Sequence, residues 1–334
     1  MNSHVLEDLQ GAIGRTPLLE IHYEKDGRKG RVFAKLESEN LTGSVKDRMA
    51  LYVLKKALEQ GELTEDCVIA EATSGNTGIA FSALGAALDL PVVIFMPSWM
   101  SEERKRLIAS FGATIREVSR EEGGFEGSIA LANAYTEEGK TTFLPRQFDN
   151  EDNVLGQYES LGKELVADLE ALDLVAGAFV AGVGTGGTVM GAGRALREKK
   201  PAAKIHPLEP LESPVLSNPD AVDEHRIAGI SDEFVPSICD LKSLDEVVSI
   251  SDSDSILAAQ ALAKKGLGVG ISSGANLLGA IALQERYGSD AIVTTVFADD
   301  NKKYLSTDLL KDEPMREDSA MKGLVITKII AHRH

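Results

Sequence analysis

The chain has 334 residues and is 43% hydrophobic, so it can bury a large core, and it is longer than one core usually serves. Its 35 basic and 52 acidic residues give a formal net charge of −17, which would repel nucleic acid and anionic membrane surfaces. No run reaches the ~20 apolar residues of a membrane helix, and the start, MNSHVLEDLQ, lacks the pattern of a signal peptide. We therefore expect a cytoplasmic protein of two domains that binds neither nucleic acid nor membranes.

Short apolar runs rich in β-branched residues alternate with longer helical patterns from residue 31 onward. This alternation is typical of a parallel sheet covered by helices and predicts an α/β fold. The predicted strands are Arg31 to Leu36, Val68 to Ala70, Val92 to Met96, Thr114 to Val118, Gly177 to Ala181, Val247 to Ile250 and Ala291 to Phe297.

Helices are predicted between these strands from apolar periodicity and from end signals. The segment Asp47 to Gln60 repeats apolar residues on one face, and Gly61 supplies the stop. Ser101, followed by two glutamates, is predicted to begin a second helix. Ser251 with Asp254 predicts a third helix by a capping-box pattern.

Two segments have the composition of connections between structural units. The stretch LPRQFDNEDNVLG has low hydrophobicity and turn residues, so we expect the main crossing between domains there. After Leu310 the charged sequence KDEPMRED predicts an exposed linker, and the apolar run Leu324 to Ile330 predicts a strand or a dimer arm. Cys67 and Cys239 lack a second Cys or His at metal-ligand spacing, so we expect reduced buried thiols and no metal site.

Glycine-rich or hydroxyl-rich turns follow several predicted strands. They are NLTGSVKDR (40–48), EATSGNTG (71–78), GVGTGGT (182–188) and GISSGA (270–275). In an open parallel sheet, ligands bind outside the carboxyl ends of the strands. These turns are therefore where chemistry is expected.

The turn at 182–188 lies between an apolar run and a helix predicted to begin near Val189. Backbone N–H groups and a positive helix end would converge there, which favours a phosphate. The same turn half-matches a dinucleotide fingerprint with Glu209 as the ribose acid, and a packing turn without ligand is a further alternative. The candidate phosphate contacts are Gly184, Gly186 and Gly187, which permit close approach, and the hydroxyl donors Thr185 and Thr188.

Two further turns carry candidate reactive or binding groups. Lys46 stands at the start of a predicted helix, where the dipole and burial would lower the pKa of its amine and allow a Schiff base, although such a lysine is more often solvent-exposed. The turn from Thr73 to Gly78 offers hydroxyls, an amide and backbone N–H groups that would bind a carboxylate, or serve only as a helix cap.

Taken together, these motifs resemble the cysteine synthase family, the O-acetylserine sulfhydrylases among the pyridoxal-phosphate enzymes with a tryptophan-synthase-β type of fold. The resemblance runs from IGRTPL (13–18) to KYLSTDL (303–309). It implies a Schiff base of pyridoxal 5'-phosphate on Lys46, and Ser272 facing the pyridine nitrogen. It also implies the cofactor phosphate on Gly184, Thr185, Gly186, Gly187 and Thr188, the ring hydroxyl against Asn76, and the substrate carboxylate on Thr73, Ser74, Asn76, Thr77 and Gln147, beside a substrate-facing loop that begins at Gly229.

The resemblance also implies the domain organisation and partners. A large phosphate-binding domain would comprise 1–45 and 158–315, a smaller mobile domain 46–157 would bind the substrate carboxylate, and 316–334 would form a C-terminal tail. The smaller domain is expected to close over the substrate and exclude water. A homodimer is expected by analogy, and a serine acetyltransferase is a conceivable partner.

A neutral serine at the ring nitrogen fits one class of reaction. Ser272, unlike an aspartate, leaves the pyridine unprotonated and weakens it as an electron sink, which disfavours transamination and racemisation. Elimination at Cβ stays easy, because the carbanion expels the leaving group as it forms. Lys46 is then placed to remove the Cα proton as the general base, and a nucleophile adds to the resulting aminoacrylate.

The sequence departs from the family in the substrate-facing loop. Where the family reads close to GIGAGF, this chain has GISDEF from Gly229 to Phe234. Asp232 and Glu233 either point to solvent, as most acidic residues do, or place a carboxylate near Cβ that activates water. Leu41 also replaces an expected proline, which we interpret as neutral for the chemistry.

Two reactions on one scaffold follow from this departure. An acid beside the nucleophile site would repel hydrosulfide and favour water, which points narrowly to cysteine lyases that form serine and hydrogen sulfide. Cysteine synthesis from O-acetylserine is the alternative. A nicotinamide-dependent dehydrogenase would leave Lys46, Asn76 and Ser272 unexplained, and a catalytically silent cofactor-binding regulator is the remaining alternative.

Overall fold

The computed structural model describes residues 4–333 and arranges their strands in two sheets flanked by helices. The α/β class predicted from the sequence is therefore confirmed. The strands are β1 (Leu18–Lys25), β2 (Arg28–Leu36), β3 (Cys67–Ala72), β4 (Val92–Pro97), β5 (Thr114–Val118), β6 (Thr141–Phe143), β7 (Ala178–Gly182), β8 (Lys204–Pro210), β9 (Val248–Ile250), β10 (Val293–Phe297) and β11 (Leu324–His332).

The helices alternate with the strands along most of the chain. They are α1 (His4–Gln10), α2 (Lys46–Gln60), α3 (Asn76–Ala87), α4 (Glu102–Ser110), α5 (Gly124–Asn133), α6 (Glu151–Gln157), α7 (Lys163–Glu170), α8 (Gly187–Lys199), α9 (Asp252–Ala263) and α10 (Ile271–Tyr287). None of the helices within residues 4–333 is long and apolar enough to cross a membrane.

The larger sheet has seven strands in the order β11-β1-β2-β10-β7-β8-β9. β1 pairs antiparallel with β2 and β11, whereas the pairs from β2 to β9 are parallel. The smaller sheet, β5-β4-β3-β6, is parallel throughout. Its strands all lie between Cys67 and Phe143, and the larger sheet takes strands from both sides of that range. The domain boundaries themselves stay a prediction.

The larger sheet is buried on both faces. Val32 and Ala34 of β2 belong to one apolar cluster with α9 and α10, whereas Phe33 between them belongs to another with α7 and α8. Successive side chains of a strand point to opposite faces, so the two clusters cover the two faces of the sheet. Such burial explains why the parallel strands appear in the sequence as nearly continuous apolar runs.

All seven predicted strands are present, with ends displaced by three residues or fewer. The run Leu324 to Ile330 is a strand, at the edge of the larger sheet. Three strands were not predicted. The strand β6 has three residues, β1 alternates charged with apolar residues, and β8 contains His206 and two prolines, which obscure a buried strand.

Helix ends and tail follow the predictions. Ser251 accepts a hydrogen bond from the Asp254 N–H, as the capping box predicts. The segment KDEPMRED is exposed except at half-buried Glu313, as predicted, and it is held in place because Glu313 pairs with Arg226 at 2.8 Å and Arg316 donates to the Ser251 hydroxyl. Both predicted thiols are buried and free.

A cluster of buried charges fixes the start of α2. Arg48, fully buried, pairs with Glu37 through its Nε at 2.6 Å and with Glu164 of α7 through Nη1 at 2.9 Å. Lys35 of β2 pairs with the same Glu164 at 2.7 Å and with Asp168 at 2.5 Å. The first turn of α2 is thereby tied to β2 and α7 at the same time.

A glycine at the crossing of α6 and α8 provides a test of how closely these two helices pack. A Cβ on Gly191 would lie 2.5 Å from the Val154 carbonyl oxygen and 2.7 Å from the Gln157 Cβ. Overpacking of this kind typically costs about 1–3 kcal/mol, so Gly191→Ala is expected to lower the urea midpoint of unfolding. Gly177→Ala is the control, because its nearest neighbour would be 3.6 Å away. Equal midpoints for the two variants would contradict the close crossing.

Candidate active site

One cavity collects the turns at the carboxyl ends of strands from both sheets. Most of the site residues predicted from the sequence line it. They are Lys46, Thr73, Ser74, Asn76, Thr77, Gln147, Gly184, Thr185, Thr188, Gly229, Asp232 and Ser272. A second, wider cavity shares Ser74, Arg104, Gly229 and Asp232 with the first and forms its mouth.

Two predicted phosphate-loop residues do not line the cavity. Gly186 has φ +88°, and a Cβ there would lie 2.6 Å from the Cys239 Cβ. A Cβ on Gly187 would lie 2.1 Å from the Asn153 Oδ1. Both glycines therefore shape the loop from behind, where only a residue without a side chain fits.

Lys46 is the first residue of α2, as the start of a helix at this turn predicts. Burial lowers the pKa of its amine, and the carboxylates of Asp299 and Asp232 oppose that shift. A lowered pKa increases the fraction of neutral amine, the form that attacks an aldehyde or accepts a proton.

The surroundings of Asn76 fit a pyridoxal ring. Its Nδ2 donates to the Asp299 Oδ2 at 2.8 Å, whereas its buried Oδ1 has no hydrogen-bond partner within residues 4–333. A buried acceptor without a partner is destabilising, and a hydroxyl donor from a ligand would satisfy it. Ser272 stands in the first turn of α10 on the same cavity.

The loop at 182–188 has the geometry of an anion cradle. It ends at the start of α8, so the positive end of that helix faces the loop. Asn153 holds the loop in place by donating to the Thr185 hydroxyl at 2.9 Å and to the Gln147 carbonyl at 2.8 Å. Its side chain joins the phosphate loop to the carboxylate-binding region.

The predicted carboxylate-binding residues contact one another. Thr77 donates to the Gln147 Oε1 at 2.6 Å, and Gln147 Nε2 donates to the Ala72 carbonyl at 2.6 Å. Behind them, buried Glu71 accepts from the Gln147 backbone N–H at 3.2 Å, and burial raises the pKa of that carboxyl to about 8.

Asp232 occupies a loop with a backbone conformation that glycine adopts more easily than other residues. Ser231 and Glu233 have φ of +55° and +27°, in the left-handed region, and they stand where the related loop GIGAGF has glycines. The loop is fixed by the Ser231 N–H, which donates to the Val183 carbonyl at 2.8 Å, and by Phe234, whose ring lies 5.1 Å from that of Phe148.

The two acids of this loop have different positions. Asp232 lines both the cavity and its mouth, whereas Glu233 is exposed and lines only the mouth. Burial raises the pKa of Asp232 to about 6, although the nearby Lys46 ammonium opposes the rise. Of the two acids, therefore, only Asp232 lines the cavity that Lys46 also lines.

The geometry of Glu209 contradicts the dehydrogenase hypothesis. This carboxylate is buried and accepts hydrogen bonds from the Leu216 N–H at 2.8 Å, the Ser217 hydroxyl at 2.5 Å and the Ser249 hydroxyl at 3.0 Å. It does not line the cavity that holds the glycine-rich loop. Glu209 is thus a structural acid with no oxygen directed at a ribose.

Sequence reasoning missed four residues around the cavity: Arg104, Asn153, Asp299 and Tyr304. Asp299 Oδ2 accepts from both Asn76 and the Tyr304 hydroxyl, each at 2.8 Å. Asp299 follows β10 directly, so the strand-end rule could have found it. Arg104 lies on the buried face of α4, and no pattern in its own helix distinguishes it from its basic neighbours.

Comparison with known proteins agrees with this geometry. The family model described as "Pyridoxal-phosphate dependent enzyme" matches residues 9–299. Cysteine synthase B of Campylobacter jejuni is 40% identical over 306 residues, covering 91% of this chain and 99% of the relative. The chain belongs to the pyridoxal-phosphate-dependent enzymes of the cysteine synthase family, whose cofactor is pyridoxal phosphate.

Among solved structures, a hydrogen sulfide-producing enzyme has a higher sequence identity to this chain than cysteine synthase B of Campylobacter jejuni has. The enzyme Fn1055 of Fusobacterium nucleatum is 54% identical, with a TM-score of 0.96 and coverage of 98% of this chain and 99% of that one. Its D232N mutant, described in complex with an α-aminoacrylate intermediate, is 53% identical with a TM-score of 0.95, covering 97% and 98% of the two chains.

Replacing Lys46 by Ala is expected to abolish turnover, because the variant would lose both predicted roles of this lysine, the cofactor linkage and the Cα base. The variant should still bind cofactor, since contacts of charged groups in the phosphate cradle contribute about 1.5–3 kcal/mol each without lysine. Borohydride reduction followed by mass spectrometry is the measurement, with Lys56→Ala on the same helix as the control. Covalent attachment and normal turnover in Lys46→Ala would refute the assignment.

Proposed function

We propose that this protein converts L-cysteine and water to L-serine and hydrogen sulfide. The observation that carries the proposal is the half-buried carboxylate of Asp232, which lines the cavity shared with Lys46. The similarity to a hydrogen sulfide-producing enzyme over nearly the full length supports it.

Lys46 and the turn at 73–78 perform the first half of the reaction. The hydroxyl and amide groups of the turn hold the substrate carboxylate and orient the Cα–H bond toward Lys46. Bound pyridoxal phosphate supplies the electron sink that acidifies this proton. The Lys46 amine accepts the Cα proton, the Cβ–S bond breaks, and sulfur departs with the bonding electron pair as hydrosulfide.

Asp232 performs the second half. A water molecule adds its oxygen to Cβ while the carboxylate accepts the proton that the water gives up, and Lys46 returns its proton to Cα. Serine and hydrosulfide leave the site, and the proton held by Asp232 passes to hydrosulfide or to solvent, which restores the carboxylate. The net products are serine and hydrogen sulfide, and no oxidant or reductant is consumed. A negative charge at this position also repels hydrosulfide anion, so attack by neutral water is favoured over the return of hydrosulfide.

Cysteine synthesis from O-acetylserine and sulfide is the second candidate. It is favoured by the relatives described as cysteine synthases, one of them 40% identical over 91% of this chain. The same cavity and Lys46 serve both reactions, which differ in the leaving group, hydrosulfide or acetate, and in the group that attacks Cβ, water or hydrosulfide. Product analysis with cysteine alone distinguishes them, because serine forms only in the first.

Asp232→Asn is expected to release the first equivalent of sulfide normally and then fail to form serine. The loss of a general base typically lowers a rate by about 100- to 10,000-fold, and here it affects only the addition of water. Rapid-quench measurement of sulfide and serine per active site is the test. A small thiol, which needs less base assistance, should still discharge the enzyme.

Glu233→Gln is the matched control for this variant. It removes one charge from the adjacent, exposed position and should reduce serine formation much less. Serine formation by Asp232→Asn at the wild-type rate would refute the water-activating role and favour conventional cysteine synthesis.

The pKa of Asp232 predicts the pH dependence of serine formation. Because burial raises this pKa to about 6, the carboxylate is deprotonated and active above that pH and becomes protonated and inactive below it. The pH profile of serine formation should therefore have an acid limb, in which the rate falls as the pH drops through about 6. The profile of sulfide release in a single turnover should lack that limb. An identical acid limb in Asp232→Asn would assign it to another group.

A further inference from the structure

Arg104 is a buried cation on the wall of the cavity and its mouth. The residue is 3% exposed and lines both spaces. Within residues 4–333 no carboxylate forms an ion pair with it, whereas buried Arg48 pairs with two. A buried guanidinium carries a large desolvation penalty, which an anion normally offsets.

Contacts with Tyr304 and Ser101 hold the Arg104 guanidinium in place. Its guanidinium lies over the Tyr304 ring, 4.4 Å from the centroid. Its Nη1 donates to the Ser101 hydroxyl at 3.1 Å, and Ser101 donates in turn to the Lys303 carbonyl at 3.1 Å. Because Arg104 lines the cavity and its mouth, a ligand there meets a guanidinium that Tyr304 and Ser101 already hold in place.

The other neighbour of Arg104 is the turn at 73–78. A Cβ on Gly75 would lie 2.1 Å from the Arg104 Cδ and 2.6 Å from its Nε, so the arginine stem occupies the space that a side chain would need. This places a full positive charge beside a turn whose own side chains offer only neutral donors. The amino end of α3, which begins at Asn76, adds a partial positive charge to the same place.

We infer that Arg104 is a substrate-binding residue that supplies the charge for the substrate α-carboxylate. The neutral donors of the turn orient the carboxylate, and Arg104 selects it over an uncharged ester or amide. The inference rests on an α-amino acid substrate, which cysteine and O-acetylserine share. It therefore stands whichever of the two reactions the enzyme performs.

The test compares L-cysteine with L-cysteine methyl ester in Arg104→Met. For cysteine, KM is expected to rise about 10- to 150-fold, the range of a hydrogen bond to a charged group, while KM for the ester changes less than about threefold. Arg106→Met is the matched control, because it removes the same charge from an exposed position of α4. A purely structural role would raise KM for both substrates by the same factor. The ratio of the two KM values would then be unchanged, and that result would overturn the inference.

A second measurement separates this inference from the proposed reaction. L-Alanine carries the carboxylate but no leaving group, so its binding to the holoenzyme by calorimetry needs neither sulfide release nor hydration. Arg104→Met should lose the preference for L-alanine over L-alaninamide even if the enzyme proves to be a synthase. Should that variant fail to fold, Arg104→Gln, which removes the charge but keeps hydrogen-bond donors, should reduce the preference severalfold. An unreduced preference would overturn the inference.

Discussion

The active cavity depends on the buried guanidinium of Arg48. It lies two residues after Lys46 and binds Glu37 and Glu164, which come from distant parts of the chain. Removing one partner of a buried ion pair leaves an uncompensated charge and typically costs about 3–5 kcal/mol. Because α2 begins at Lys46, this cluster also determines where the reactive amine lies relative to the strand ends of both sheets.

Burial acts on the two central ionisable groups in opposite directions. It lowers the pKa of the Lys46 amine and raises that of the Asp232 carboxyl, and the charge of each opposes the shift of the other. The pKa of each group thereby moves toward neutral pH, where a base can accept a proton and later return it. One desolvated cavity thus shifts the pKa of both groups that we propose as bases, Lys46 for Cα and Asp232 for the water that attacks Cβ.

The strand-end turns made most of this site predictable from sequence. Glycines and hydroxyls after apolar runs locate ligands because parallel strands direct their carboxyl ends to one edge, and the turns that contain Lys46, Asn76 and Ser272 were found in this way. The resemblance to the family then implied the role of each residue. Arg104 was not, since its function depends on a contact with Gly75 that only the folded chain creates. The strand β8 was missed because its polar residues find buried partners, such as Glu209 with the Leu216 N–H, that no local pattern reveals.

The backbone of the loop around Asp232 bears on how such a loop could arise. Ser231 and Glu233 keep the left-handed conformation that glycine adopts freely, and each such residue typically costs about 1–2 kcal/mol. Replacing glycines at these two positions would therefore have lowered the stability of the native state before any benefit from Asp232. A lineage that acquired this loop needed either a reserve of stability elsewhere or selection for the new chemistry strong enough to outweigh the loss.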